Sequence, residues 1–143
     1  MANTFGSNRY YENQGGGRFL DRAVELGIGE RGNSMGVAFG DLDGDLALDL
    51  FVASHSSGIA KRIFGRLEER TRAGLLVELQ EFSDGNALFL GDGAGGFAQG
   101  PGEEGLRNAG WIWSSALADF DLDGHLDLYC ANGFLTGDLP EDT

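Results

Sequence analysis

Two stretches of the chain carry four aspartates each at one spacing: Asp41, Asp43, Asp45 and Asp49 in DLDGDLALD, and Asp119, Asp121, Asp123 and Asp127 in DFDLDGHLD. These are positions 1, 3, 5 and 9 of a loop, and four side-chain oxygens so placed can converge on one hard cation. Ca²⁺ takes about 6 to 8 oxygens, accepts irregular geometry, and can draw a further ligand from a backbone carbonyl, here that of Ala47 or His125 at position 7. Mg²⁺ would demand stricter octahedral geometry. Without a cation, carboxylates packed this closely repel one another, so the pattern is hard to explain as surface charge alone.

The opening D-x-D-x-D-G of the second stretch also begins an EF-hand loop. That motif needs a bidentate Glu at position 12 and helices on both sides. Position 12 is Val52 in one stretch and Cys130 in the other, and β-prone runs flank both. The first stretch also places Leu46 where the second has Gly124. A left-handed conformation at Leu46 costs about 1–2 kcal/mol, which predicts a weaker first site.

The elements that must hold these loops emerge from an internal repeat. An offset of 78 residues aligns residues 8–54 with 86–132 without a gap, placing Asn8 on Asn86, Gly15 on Gly93, Phe19 on Phe97 and Asp41 on Asp119. Each unit opens with a glycine cluster between two β-prone runs, NRYYENQGGGRF or NALFLGDGAGGF, which reads as a hairpin. No Gly-Lys-Ser/Thr follows either cluster, so a phosphate loop is disfavoured. A second pair of runs follows in each unit, MGVAF with LDLFVAS and WIWSSALA with LDLYCAN, and the aspartates lie at the tip between them. Between the units, about residues 56–84, Ile59, Ile63 and Leu67 fall at helical spacing and Leu75, Leu79 and Phe82 extend a second stripe, so a helical insertion is expected. Its Lys61, Arg62, Arg66, Arg70 and Arg72 read first as a solvated helix face, and second as an anion or partner patch.

Composition narrows the class. Glycine makes up 25 of 143 residues and proline only 2, which suits frequent tight turns. The 41% hydrophobic content argues against disorder. A net charge of −13 repels a phosphate backbone, so nucleic acid is not an expected partner. No run of apolar residues is long enough to span a membrane, and MANTFGSNRYYEN shows neither the basic nor the apolar region of a secretion signal. Cys130, the single cysteine, sits in a strand-like run and reads as a buried inert thiol. Trp111 and Trp113 alternate with Ile112 and so share a strand face, which suits packing better than a ligand platform. His125 reads as a solvent-facing spacer, since an all-oxygen site has no need of imidazole.

The two aspartate loops, with N-x-L-F-x-x-x-G-x-G-x-F in the second unit, resemble the FG-GAP/VCBS repeat of integrin-α-type β-propellers, over about two thirds of the chain. Within that group the sequence is similar to bacterial relatives of cartilage acidic protein, of the ASPIC/UnbV-associated type. The resemblance implies an all-β fold of about two propeller blades in an incomplete ring, the loops holding Ca²⁺. It further implies an extracellular or periplasmic setting and a non-catalytic module for adhesion or other extracellular interaction, with a protein or glycan as partner. The alternative is a piece of a polysaccharide- or lipid-acting enzyme whose propeller carries the active site. Propellers close at about 4 to 8 blades. The chain therefore reads as a fragment of a longer propeller or a truncated gene product, from mid-blade at Asn8 to about Gly133, its edges open to further blades or to self-association.

Overall fold

The computed structural model describes residues 1–4, 6–29, 31–55, 85–101, 104–107 and 109–133. The helical insertion expected over 56–84 lies outside these.

The described residues form four sheets, three of which carry the hairpins of the repeat pattern. Strands β2 (Tyr11–Asn13) and β3 (Phe19–Asp21) form an antiparallel hairpin with Tyr11 opposite Asp21. The central sheet has four strands in the order β5 (Ser34–Gly40), β6 (Asp49–Ser54), β7 (Ala87–Gly91) and β8 (Phe97–Gln99), all antiparallel. The last hairpin pairs β9 (Ile112–Ala118) with β10 (Asp127–Asn132). The central sheet thus takes its first two strands from one repeat unit and its last two from the next. It is one complete blade, flanked by an outer half-blade before it and an inner half-blade after it, and the described residues do not close a ring. Two small elements have no counterpart in the sequence reading: β1 (Gly6–Ser7) paired with β4 (Arg31–Gly32), and a single helical turn, α1 (Glu104–Arg107).

Strand β6 explains why the sheets stack. Its sequence DLFVAS is apolar on both faces between its ends, and all six residues are buried. Side chains alternate across a strand, so Leu50 and Val52 pack with Phe89 against Ala23 and Ile28 on the side of the first half-blade. Phe51 and Ala53 face the other way and pack with Ile112, Leu128 and Cys130 of the last hairpin. A central strand covered on both faces buries enough apolar area to hold three small sheets together, at about 25 cal/mol per Å² removed from water. Glycine permits the closest approach. A Cβ on Gly40 of β5 would lie 2.8 Å from side-chain carbons of both Leu117 and Leu126.

The paired asparagines of the repeat act as pins. Asn86 is buried; its Oδ1 accepts the Ser54 amide at 2.8 Å and its Nδ2 donates to the Leu106 carbonyl at 2.8 Å. One side chain therefore ties the end of β6 to α1. Its counterpart Asn8 accepts the Asn3 amide and donates to Ser34 Oγ at 3.1 Å, and Ser34 Oγ lies 3.0 Å from Ser54 Oγ.

Candidate metal centres at the hairpin tips

Both aspartate loops sit at the tips of the inner hairpins, residues 41–48 between β5 and β6 and residues 119–126 between β9 and β10. Their internal bonding is nearly the same. The first aspartate organises each loop: Asp41 accepts the Asp45 amide at Oδ1 and the Leu46 amide at Oδ2, and Asp119 accepts those of Asp123 and Gly124. The last aspartate closes it, Asp49 Oδ2 accepting the Leu42 amide at 2.7 Å and Asp127 Oδ2 the Phe120 amide at 2.9 Å. Short carboxylates that bond their own loop backbone are why aspartate outnumbers glutamate here.

In each loop three carboxylates converge. Oxygens of Asp41, Asp43 and Asp49 lie within 4.8 Å of one another, as do those of Asp119, Asp121 and Asp127. The fourth aspartate is turned elsewhere. Asp45 Oδ1 accepts the Ala47 amide at 2.7 Å, and Asp123 Oδ1 the His125 amide at 2.9 Å. Three hard oxygens with backbone amides fixing their partners fit a divalent cation of the Ca²⁺ type. The Ala47 and His125 carbonyls, expected as further ligands, belong to residues whose amides are held by that fourth aspartate.

The strain expected at Leu46 is present, at φ 72°, and it has a twin that the sequence reading did not foresee: Leu122, at φ 64°. In both loops positions 4 and 6 are left-handed, as Gly44 and Leu46 in the first and Leu122 and Gly124 in the second. Each loop thus carries one glycine and one leucine in that conformation, and backbone strain does not rank the two sites.

The loops differ in what stands beside them. Asp49 is fully buried, and its Oδ1 accepts the Gly91 amide of β7 at 2.9 Å. Gly91 must be glycine, because a Cβ there would run into the Leu48 carbonyl. Asp127 is exposed, and only its Oδ2 accepts an amide among the described residues. The role of Gly91 escaped the sequence reading because its repeat counterpart is Asn13.

The other singled-out residues behave plainly. His125 is exposed, and burial pushes the half-buried Cys130 thiol up from its ordinary range. The Trp111 and Trp113 rings both meet His55, the first stacked at 4.4 Å and the second edge-on at 5.6 Å. Both indoles thus lie on the face that meets His55, with Trp113 still 48% exposed.

The chain matches the family model for the FG-GAP-like repeat over residues 1–52 and 76–130. The two matches end at Val52 and Cys130, the same 78-residue step as the internal repeat. The chain belongs to the FG-GAP-like repeat family. Each FG-GAP-like repeat therefore spans two half-blades, its outer hairpin finishing one sheet and its inner hairpin starting the next, with the aspartate loop at the inner tip. Among curated proteins no match to the chain is found. No helix among the described residues is long and apolar enough to cross a membrane.

Proposed function

We propose that this chain is a calcium-binding, non-catalytic propeller module for extracellular or periplasmic interaction, in which the metal ties the tip of each inner hairpin and the remaining surface meets a protein or glycan. The observation that carries this reading is the convergence of three carboxylates, at the same loop positions, in both repeats. Both copies of the repeat keep all three converging carboxylates although other positions of the unit differ, such as Asn13 against Gly91. The cation would be held by Asp41, Asp43 and Asp49 in the first loop and by Asp119, Asp121 and Asp127 in the second. Asp45, Asp123 and the carbonyls of Ala47 and His125 would have to turn from their present bonding toward the ion to add further oxygens.

A cation that binds only the folded form stabilises it by about 2.7 kcal/mol at a hundredfold excess over Kd. Extracellular modules often bind at about 10⁻⁴ to 10⁻³ M, so at millimolar calcium the gain is nearer about 1 kcal/mol. The test is a thermal melt in chelator, in several millimolar Ca²⁺, and in Mg²⁺ or NaCl at matched ionic strength. Calcium is expected to raise the midpoint beyond either control. An equal rise in Mg²⁺ or NaCl would show that the aspartates act as diffuse charge. Turnover in a screen of polysaccharide and phospholipid substrates would replace the non-catalytic reading with the enzyme alternative.

A further inference from the structure

The two half-blades are complementary pieces of one blade. Hairpin β2–β3 is the outer half and β9–β10 the inner half, and within the chain the same two kinds of half are already joined once, along β6 and β7. That internal joint pairs Leu50 with Phe89, Phe51 with Leu88 and Val52 with Ala87. Shifting the inner strand forward and the outer strand back by the repeat gives Leu128 opposite Tyr11, Tyr129 opposite Tyr10 and Cys130 opposite Arg9. Among the described residues, β10 pairs only with β9 and β2 only with β3.

Burial marks both pieces as unfinished. Phe89 is 3% exposed in the complete blade whereas its counterpart Tyr11 is 51% exposed, and Phe51 is 0% exposed whereas its counterpart Tyr129 is 61% exposed. Buried Asp49 contrasts in the same way with exposed Asp127. An unpaired strand edge beside exposed aromatic side chains is a template for another strand, and this chain carries the matching strand itself.

We infer that a second copy of this chain docks its β2–β3 hairpin onto β10, completing the blade, and that the amide of its Asn13 takes the place at Asp127 Oδ1 that the Gly91 amide takes at Asp49. The inference rests on the blade reading of the fold, and the metal proposal enters only through that last contact. The contact is head-to-tail, one end of one copy meeting the other end of the next, and such interfaces generate rings when the rotation closes. Each copy adds one whole blade and two halves, so about two to four copies supply the 4 to 8 blades at which propellers close.

The available edge is the Tyr11–Asn13 part of β2, since Arg9 is already bonded through both amide and carbonyl to Met1, at 3.0 and 2.6 Å. The fit is imperfect at one residue. Asn13 brings a Cβ to the place where Gly91 has none, against the Leu126 carbonyl in the equivalent of the Gly91–Leu48 approach, so Asn13 must sit slightly off the internal register.

The test measures the mass of the 143-residue chain by sedimentation, in calcium and in chelator, for the wild type, Tyr129→Glu, Tyr11→Glu and an equimolar mixture of the two variants. Head-to-tail docking predicts that the wild type assembles and that each variant alone is monomeric. The mixture then gives a 1:1 heterodimer, because the intact β2 end of Tyr129→Glu meets the intact β10 end of Tyr11→Glu. Both side chains are more than half exposed, so circular dichroism is expected to show an unchanged sheet; if it does not, Tyr129→Ser and Tyr11→Ser take their places. Asn13→Gly is expected to lower the dissociation constant severalfold. Assembly that survives chelator supports docking through the strand edges, whether or not the loops hold a cation. A wild type monomeric in both conditions, or one variant that still self-associates alone, overturns the inference.

Discussion

Leu46 and Leu122 hold the same left-handed backbone conformation, at φ 72° and 64°, two positions apart in otherwise matching loops. The loop requires that conformation at two positions, and each copy has placed its single glycine at a different one. The side chains are 93% and 86% exposed, so neither leucine recovers its strain through burial. Leu46→Gly and Leu122→Gly are each expected to stabilise the chain by about 0.5–1 kcal/mol, the relief of about 1–2 kcal/mol being offset by glycine's greater entropy loss on folding. Urea melts of the two variants in chelator check this, and similar gains are the expected outcome.

Gly91→Ala is expected to act at a distance on the first loop. The added Cβ meets the Leu48 carbonyl and pushes β7 away from Asp49, at a cost of about 1–3 kcal/mol. Calcium titration in an Asp121→Ala background, which leaves only the first loop intact, is expected to show weakened binding relative to Asp121→Ala alone.

Asn86→Ala removes two hydrogen bonds and orphans the buried Ser54 amide and the Leu106 carbonyl. A loss of about 2–3 kcal/mol is expected, since an unsatisfied buried group costs its desolvation. Asn8→Ala, whose bonds are only partly buried, is expected to cost less. Equilibrium unfolding of the two variants side by side measures the difference.

His55 gives the fold a mild acid sensitivity. Its ring is buried against Trp111, its Nε2 has no hydrogen-bond partner among the described residues, and burial holds its pKa below the ordinary value of 6.5. The unfolded chain therefore binds a proton at higher pH than the folded chain does. This contribution is complete above the unfolded value and is lost as pH falls through 6.5 toward the folded pKa. Stability measured from about pH 8 to pH 5 is expected to fall more steeply for the wild type than for His55→Phe.

Much of this was legible in the sequence where the determinants are local. The aspartate spacing, the glycine-centred hairpins and the 78-residue register each lie within a short window, and the structure places strands on every run they marked. What was not legible depends on partners far along the chain. Nothing near Asp49 announces that its second oxygen belongs to the Gly91 amide, 42 residues away. Nor does spacing show that Asp45 and Asp123 turn to their own loops while three neighbours converge. The strain at Leu122 was hidden because Gly124 satisfied the familiar pattern at position 6. The β1–β4 pair was missed because two-residue strands carry no period to read.

The half-blade phase between repeat and sheet also sets an order of assembly. Four of the joints in the sheets close across tight tips, residues 14–18, 41–48, 92–96 and 119–126, and such hairpins form in about 1–10 μs. The β6–β7 joint instead closes across residues 55–86, although it is the one that unites the two repeats. Loop-closure entropy rises with length, and long-range pairing slows folding. The hairpins are thus expected to form first as independent pieces, with the seam between repeats zipping last. Until that seam closes, Asp49 lacks the Gly91 amide and Phe51 lacks its covered sheet, so every nascent chain passes through a stage at which its middle is as unfinished as its ends.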